Sequence, residues 1–291
     1  MTARRNSSRG KTIYAACCLV GLLAILGDRA AVADPSESEA TFSGPRTINL
    51  IDEELSYFDS YLKKQGLNKD PDRTFAVKDG VLRIYGPEFG YLATKNEYEN
   101  YHLIIEFKWG DATCGSRAEL ARDSGVWVHC IGEHGAISNL WMAGIECNII
   151  EGATGDILMI SDGTDRFAIA GQGRPHEEQK HVFYFDMLNG VDREKKIDGR
   201  SNWWGKTYPW HDVKGFRGEQ DIERPVGEWN RLEYSIIGRH ISIILNGVLV
   251  NQVHNVKPTK GKILIQAEQA DIYFRRLDLI PLTDTHEPGD K

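Results

Sequence analysis

Between residues 75 and 280 one pattern recurs: short segments of alternating apolar and polar residues, each closed by glycine, proline, asparagine or aspartate. Period-two alternation is the mark of strands with one buried face. Tyr101 to Trp109 shows it best. Leu103, Ile105, Phe107 and Trp109 take one face, while His102, Ile104, Glu106 and Lys108 take the other. Further strands are expected at 81–85, 125–131, 144–150, 181–187, 231–237, 241–245, 247–250, 262–267 and 272–280. In 125–131, parity sets Trp127 and His129 opposite Val126, Val128 and Cys130. In 144–150 it sets Glu146 and Asn148 opposite Ile145, Cys147 and Ile149. Asn246-Gly247 reads as a two-residue hairpin turn, because both positions of such a turn need positive φ. One helix is expected, at 51–65, where Leu55, Phe58, Tyr61 and Leu62 recur at helical spacing. Many strands with almost no helix imply an all-β fold, a two-sheet antiparallel β-sandwich.

The ends of the chain read differently. Arg4, Arg5, Arg9 and Lys11 precede an apolar run from Thr12 to Leu26, and Ala31-Val32-Ala33 forms a small-x-small site. That order predicts a cleaved secretory signal over 1–33, hence export to a periplasmic or extracellular space. Residues 34–45 read as a polar tether, 46–283 as one β-sandwich domain, and 284–291 as a tail. Cleavage would leave 258 residues, and the net charge would move from −7 to −11, because five Lys/Arg and one Asp depart. A chain that acidic does not suit nucleic acid or an anionic membrane surface. No apolar run after the signal is long enough to span a bilayer. Cys114, Cys130 and Cys147 then remain; an odd number allows at most one bridge, and Cys130 and Cys147 fall in strand patterns that suit plain buried thiols.

Chemistry is expected where outward strand positions break the plain polar pattern. Glu106, His129, Glu146 and Asn148 all fall on such positions, and adjoining strands would bring them together on one open sheet face. An imidazole among carboxylates on a rigid face can do acid–base work, or hold a hard divalent cation (Ca, Mg, Mn or Zn) through Glu146, His129 and Glu106. The turn 151–156, Glu-Gly-Ala-Thr-Gly-Asp, offers Glu151 and Asp156 to a ligand, or is simply a hairpin turn. Residues 188–228 read as long excursions carrying Trp203, Trp204, Trp210 and Arg217. Long loops in compact domains are commonly functional, and flat aromatic surfaces beside polar groups suit sugar rings. Trp229 opens a strand and reads as core.

Several stretches together resemble the 3-keto-disaccharide hydrolase domain family. They are DGVLRIYG, GYLATKNEYENYHLIIEFKWG, DSGVWVHCIG, GIECNIIEGATGDILM, DVKGFRGEQDIE, GEWNRLEYSIIG, LNG and GKILIQAE before IYFRRLDLI. The likeness runs from about Phe75 to Leu279. It implies a concanavalin-like jelly roll and cleavage of glycosides already oxidised at C3, with a separate oxidoreductase making the ketone. Asp123-Ser124-Gly125 stands where the family has Asn-Ser-Gly, and His129 where it has an arginine. Ile145-Glu146-Cys147-Asn148-Ile149 stands for Tyr-Glu-Val-Gln-Ile.

A C3 ketone acidifies the C2 proton, so the resemblance points to C2 deprotonation, loss of the C1 substituent and hydration. Glu146 is the expected base, with His129 steadying the oxyanion or protonating the leaving oxygen. Glu106, Asn148, Glu151, Trp203, Trp204, Trp210 and Arg217 are the expected substrate contacts. The alternatives are a non-catalytic carbohydrate-binding module on the same sandwich and a structural or adhesive surface domain. A conventional glycosidase fits less well, since the glutamate-x-aspartate-x-x-glutamate strand motif is missing.

Overall fold

The computed structural model describes residues 46–175, 183–186, 191–196 and 199–282; the expected signal, tether and tail lie outside these. The described secondary structure is all strand, apart from one 3-10 turn at Gly115–Arg117. The strands begin with β1 (Ile48–Asn49), β2 (Phe58–Leu62), β3 (Gly66–Leu67), β4 (Phe75–Lys78), β5 (Val81–Ile84) and β6 (Gly90–Thr94). Next come β7 (Tyr101–Thr113), β8 (Asp123–Ile131), β9 (Ala143–Ile150), β10 (Ile157–Ile160), β11 (Ala168–Pro175) and β12 (Phe183–Phe185). The last are β13 (Val191–Lys196), β14 (Arg200–Asn202), β15 (Asn230–Ile237), β16 (His240–Leu245), β17 (Val248–Lys257), β18 (Lys262–Ala267) and β19 (Ala270–Pro281).

One sheet runs β4, β5, β19, β7, β15, β16, β17, with β1 also on β19. The other runs β3, β2, β6, β18, β8, β9, β10, β14, β12, β11, with β13 on β11. Pairing is antiparallel except between β12 and β14. β17 joins the layers: its first half pairs with β16 and its last residues pair with β11. This is the two-sheet β-sandwich that the alternation implied and the jelly roll that the family resemblance implied.

The core lies between the layers. Leu103, Ile105, Phe107 and Trp109 of β7 share one buried cluster with Val126, Val128, Ile145, Cys147 and Ile149 of β8 and β9. Full burial of each such side chain contributes about 1.5–3 kcal/mol. The Asn246-Gly247 turn has φ of 49° and 86°, as the hairpin requires. Cys114, Cys130 and Cys147 are all free thiols, and Cys130 and Cys147 are buried.

Three expectations are corrected. Residues 51–65 do not form a helix. Phe58 and Leu62 are core residues of β2, which pairs with β6. Positions four apart share a face in both a helix and a strand, so the spacing was ambiguous. Asp52 accepts the Ser56 amide (2.8 Å) and Leu55 sits at φ 53°, which ends any helix there. The excursions at 188–228 contain β13 and β14. Trp229 is half-exposed on the outer face of the β7 sheet, under Arg275 (4.5 Å) and Lys108 (5.0 Å).

Candidate functional site

Strand register writes rows of side chains across the outer face of the β8–β9 sheet. One row passes from Leu264 to Trp127, Glu146, Leu158 and Arg200. Strands lie about 4.8 Å apart, so the Glu146 and Arg200 backbones are about 10 Å apart. A second row starts at Gln266, passes over Gly125 to Asn148, and continues beyond the turn through Asp156 and Asn202 to Tyr184 and Arg174. Gly125 leaves room here for the Gln266 side chain. A Cβ on the glycine would collide with Gln266 Oε1 and come 3.2 Å from Glu146 Oε1.

Glu146 is 7% exposed, and burial, helped by the charge of Asp123, pushes its carboxyl up to about 8. Asp123 and Glu268 are hydrogen-bonded carboxyl to carboxyl, and burial raises both. Arg117 lies 3.3 Å from Asp123, and the Gln266 amide donates to Glu268 (3.1 Å). Among the described residues, three buried polar atoms on neighbours of Glu146 lack a partner: Asn148 Oδ1, Gln266 Oε1 and Trp127 Nε1. Buried polar atoms are nearly always paired, so these orphans mark a polar patch beside Glu146 whose bonding the described residues do not complete.

The second row ends in a cavity of about 540 Å³ lined by Arg174, Tyr184, Trp204, Lys206, Tyr208 and Glu219. Lys206 Nζ donates to Asp156 Oδ2 (2.6 Å) and Asn202 Oδ1 (2.9 Å), and Arg200 Nε lies 3.1 Å from Asp156 Oδ2. Burial lowers Lys206, while the Asp156 charge opposes that shift. Asp156 also accepts the Trp203 amide (2.8 Å), so this buried carboxylate anchors both the loop and the cations.

The expected site residues part company. Glu146 and Asn148 share the face as parity required. His129 does not join them. It sits at φ 54° in a bulge where the β8 register slips between Val128 and Ile131, and Cys130 falls with Trp127 instead of with Val126. Its side chain is 0% exposed, both ring nitrogens lack partners, and burial pushes it down to about 4. A sealed neutral imidazole has no access to a substrate, so its expected catalytic contact is withdrawn. Glu106 belongs to the other sheet. There Arg275 Nε donates to it (2.6 Å), and Arg231 and Arg276 lie within 3.8 Å. Partial burial pushes Glu106 up, but Arg275, Arg276 and Arg231 outweigh that and hold it below its ordinary value. The trio Glu146, His129 and Glu106 therefore cannot share a cation, and among the described residues no three His, Cys, Asp or Glu are placed to hold a metal ion.

Glu151 is engaged internally: Arg122 Nη1 donates to it at 2.6 Å, and the Arg122 and Gly215 amides at 2.9 Å. The 151–156 segment is a hairpin turn between β9 and β10, with the Gly155 amide donating to the Asn148 carbonyl (3.0 Å). Of the tryptophans, Trp204 is 37% exposed and lines the cavity, Trp203 is a core plug, and Trp210 donates to the Glu151 carbonyl (3.0 Å). Arg217 braces its own loop through Asp221 (2.9 Å) and the Glu223 carbonyl. The sequence reading missed Arg200, Lys206, Gln266 and Glu268. Gln266 shares parity with Leu264 and was open to the same argument as Glu146. Arg200 and Lys206 carry no local signal.

Glu223, away from this face, is also raised, pushed to about 8 chiefly by burial, with Trp109 Nε1 donating to it at 2.5 Å. A carboxyl raised on folding binds more protons in the folded state, so its contribution is full below the ordinary carboxylate range and is lost as pH rises towards 8. The urea midpoint should therefore fall steadily from pH 5 to pH 9, and Glu223→Gln should flatten that slope. A midpoint that rises over this range would contradict the raised carboxyls.

Fold and face together define a jelly-roll sandwich with a carboxylate-centred polar surface leading into an aromatic cavity. A family model for the 3-keto-alpha-glucoside-1,2-lyase-like domain matches residues 46–280. The chain belongs to that family and is a sugar-acting protein. No curated protein matches the chain. Among solved structures it is similar to two proteins of Parabacteroides distasonis assigned provisionally to the glycosyl hydrolases. The first is 21% identical with a TM-score of 0.44, covering 81% of this chain and 100% of that one. The second is 16% identical with a TM-score of 0.47, covering 81% and 94%. It is also similar to a Bacillus licheniformis β-glucanase, 11% identical with a TM-score of 0.41, covering 83% and 100%. Among the described residues no helix is long and apolar enough to cross a membrane.

Proposed function

We propose that this chain is an exported enzyme that cleaves 3-keto-glycosides by removing the C2 proton and eliminating the C1 substituent, with subsequent hydration. The observation that carries the reading is Glu146: an outward carboxyl in the row that leads to Arg200, raised to about 8 by burial. A buried carboxylate with a raised pKa is a stronger base once ionised. Glu146 Oε takes the C2 proton, and the electron pair moves into an enolate on the C3 oxygen. The enolate then collapses: C1=C2 forms, and the C1–O bond breaks with its pair on the leaving oxygen, which takes up a proton. Water adds to the unsaturated sugar to complete hydrolysis. Arg200, half-exposed and in the Glu146 row, is placed to stabilise the enolate in the role once expected of His129. Asn148 and Gln266 offer hydrogen bonds to ring hydroxyls. A sugar oxidoreductase must supply the ketone.

Matched glucosides and their 3-keto forms, incubated with the protein and read by mass spectrometry, test this. Turnover of the oxidised form alone is expected, and it should survive a chelator because Arg200 and Lys206 already place two cations beside the polar rows. Sugar binding with no product from either form would point to a carbohydrate-binding module instead. Trp204→Ala should raise KM for the 3-keto substrate about 5–10-fold with kcat nearly kept, because its ring lines the cavity away from Glu146. A loss confined to kcat would remove Trp204 from binding.

A further inference from the structure

We propose that Trp141, His134 and Tyr61 form an aglycone subsite that takes an aryl group, making this chain selective for aryl 3-keto-glycosides. The inference rests on the reading of Glu146 as the base. Trp127 stands directly across from Glu146 in the β8–β9 register. The Trp141 ring lies 5.4 Å from Trp127 and 6.0 Å from Tyr91. Tyr91 stacks on Tyr61 (5.3 Å, 20°) and on His134 (5.7 Å, 12°), and Tyr61 stacks on His134 (6.0 Å, 15°). Trp127 and Tyr91 are buried, while Trp141, His134 and Tyr61, Tyr61 being the cross-strand neighbour of Tyr91, are half-exposed. The aromatic surface is therefore continuous from Trp127 to Tyr61, with three of its rings partly open.

This surface is held in advance of any ligand. Tyr91 Oη and His134 Nδ1 are hydrogen-bonded (3.0 Å), and the Gly135 amide donates to Tyr91 Oη (3.3 Å). Gly135 has φ 73°, and a Cβ there would collide with the Tyr61 hydroxyl, so the loop seats itself on these rings. The Ile137 amide donates to the Trp141 carbonyl (2.8 Å) and closes the loop. A preorganised aromatic face costs little ordering entropy on binding.

Glu146 thus divides two unlike halves. On one side lie Arg200, Asp156, Asn202 and Lys206, and on the other Trp127 and Trp141. A glycoside has the same division, with a hydroxyl-rich ring joined to an aglycone. The developing enolate belongs with Arg200, which leaves the C1 substituent facing the aromatic side. The chemistry agrees. With His129 sealed away, the leaving oxygen departs best as a weak base. A phenolic oxygen takes the electron pair of the broken C1–O bond as phenolate and picks up a proton from solvent or from Glu146.

The test uses phenyl and methyl 3-keto-glucosides with the wild type and Trp141→Leu, which keeps an apolar cover over Trp127. The ratio of kcat/KM for phenyl over methyl, compared between the two proteins, cancels the intrinsic difference between leaving groups. It should fall about 10-fold in the variant. His134→Leu gives the same reading should Trp141→Leu fail to fold. In parallel, calorimetry of unoxidised phenyl glucoside reads binding without turnover, and its Kd should rise about 10-fold in the variant. An unchanged ratio with normal turnover overturns the subsite and leaves the proposed reaction standing. Phenyl glucoside binding that depends on Trp141, with neither substrate turned over, upholds the aryl site and overturns the reaction. Neither binding nor turnover overturns both.

Discussion

Glu146→Gln is expected to lower kcat/KM for a 3-keto glucoside by about 10²–10⁴-fold, the usual contribution of one general base. The fold should survive. The wild-type carboxyl is mostly protonated below about 8, and glutamine matches a protonated glutamate in size and neutrality. The unfolding midpoint near pH 7 should therefore barely move while turnover collapses. The pH–rate profile separates this from a structural effect. Only the ionised form accepts a proton, so the wild-type rate should climb with pH and level off above about 8. The variant should lose that limb. Unchanged turnover, or a limb retained in the variant, would exclude Glu146 as the base.

Arg122→Met is expected to be the most damaging change away from that face. Arg122 Nη1 pairs with Glu151, Nε donates to the Gly110 carbonyl (2.8 Å) and Nη2 to the Asp111 carbonyl (3.0 Å). It therefore ties the end of β7 in one sheet to the β9–β10 turn of the other. Both partners of the ion pair are nearly buried. Removing one partner of such a pair costs about 3–5 kcal/mol, because the other is left as an uncompensated buried charge. Urea unfolding should register that loss. Arg122→Met with Glu151→Met should recover much of it, because two apolar groups leave no orphan charge behind. A double variant no better than the single would locate the stabilisation in the Gly110 and Asp111 contacts. Recovery in the double variant would place Glu151 in the framework.

Much of this molecule is legible along the chain. The alternation in Tyr101–Trp109 assigns Leu103, Ile105, Phe107 and Trp109 to the core, where all four are buried. The same rule sets Glu146 and Asn148 opposite Ile145, Cys147 and Ile149, as they are found. The rule failed at His129. One bulge residue at positive φ reverses parity for the rest of its strand, and a register slip leaves no mark in a hydrophobic pattern. At 51–65, Phe58 and Leu62 satisfied two periods at once, and only the pairing of β2 with β6 chose between them.

What the amino-acid order determined alone is the class of fold, the inward faces of β7 and β9, the Asn246-Gly247 turn and the outward setting of Glu146. Those are local matters, settled by steric limits on φ and ψ and by the geometry of a pleated chain. Tertiary structure alone decided which outward residues meet. Glu106 lies beside Arg231, 125 positions away, and not beside Glu146. Arg200 and Lys206 reach Asp156 only once β14 has paired with β10. Sheet neighbours are chosen by burial summed over two whole faces, a quantity that no single segment contains.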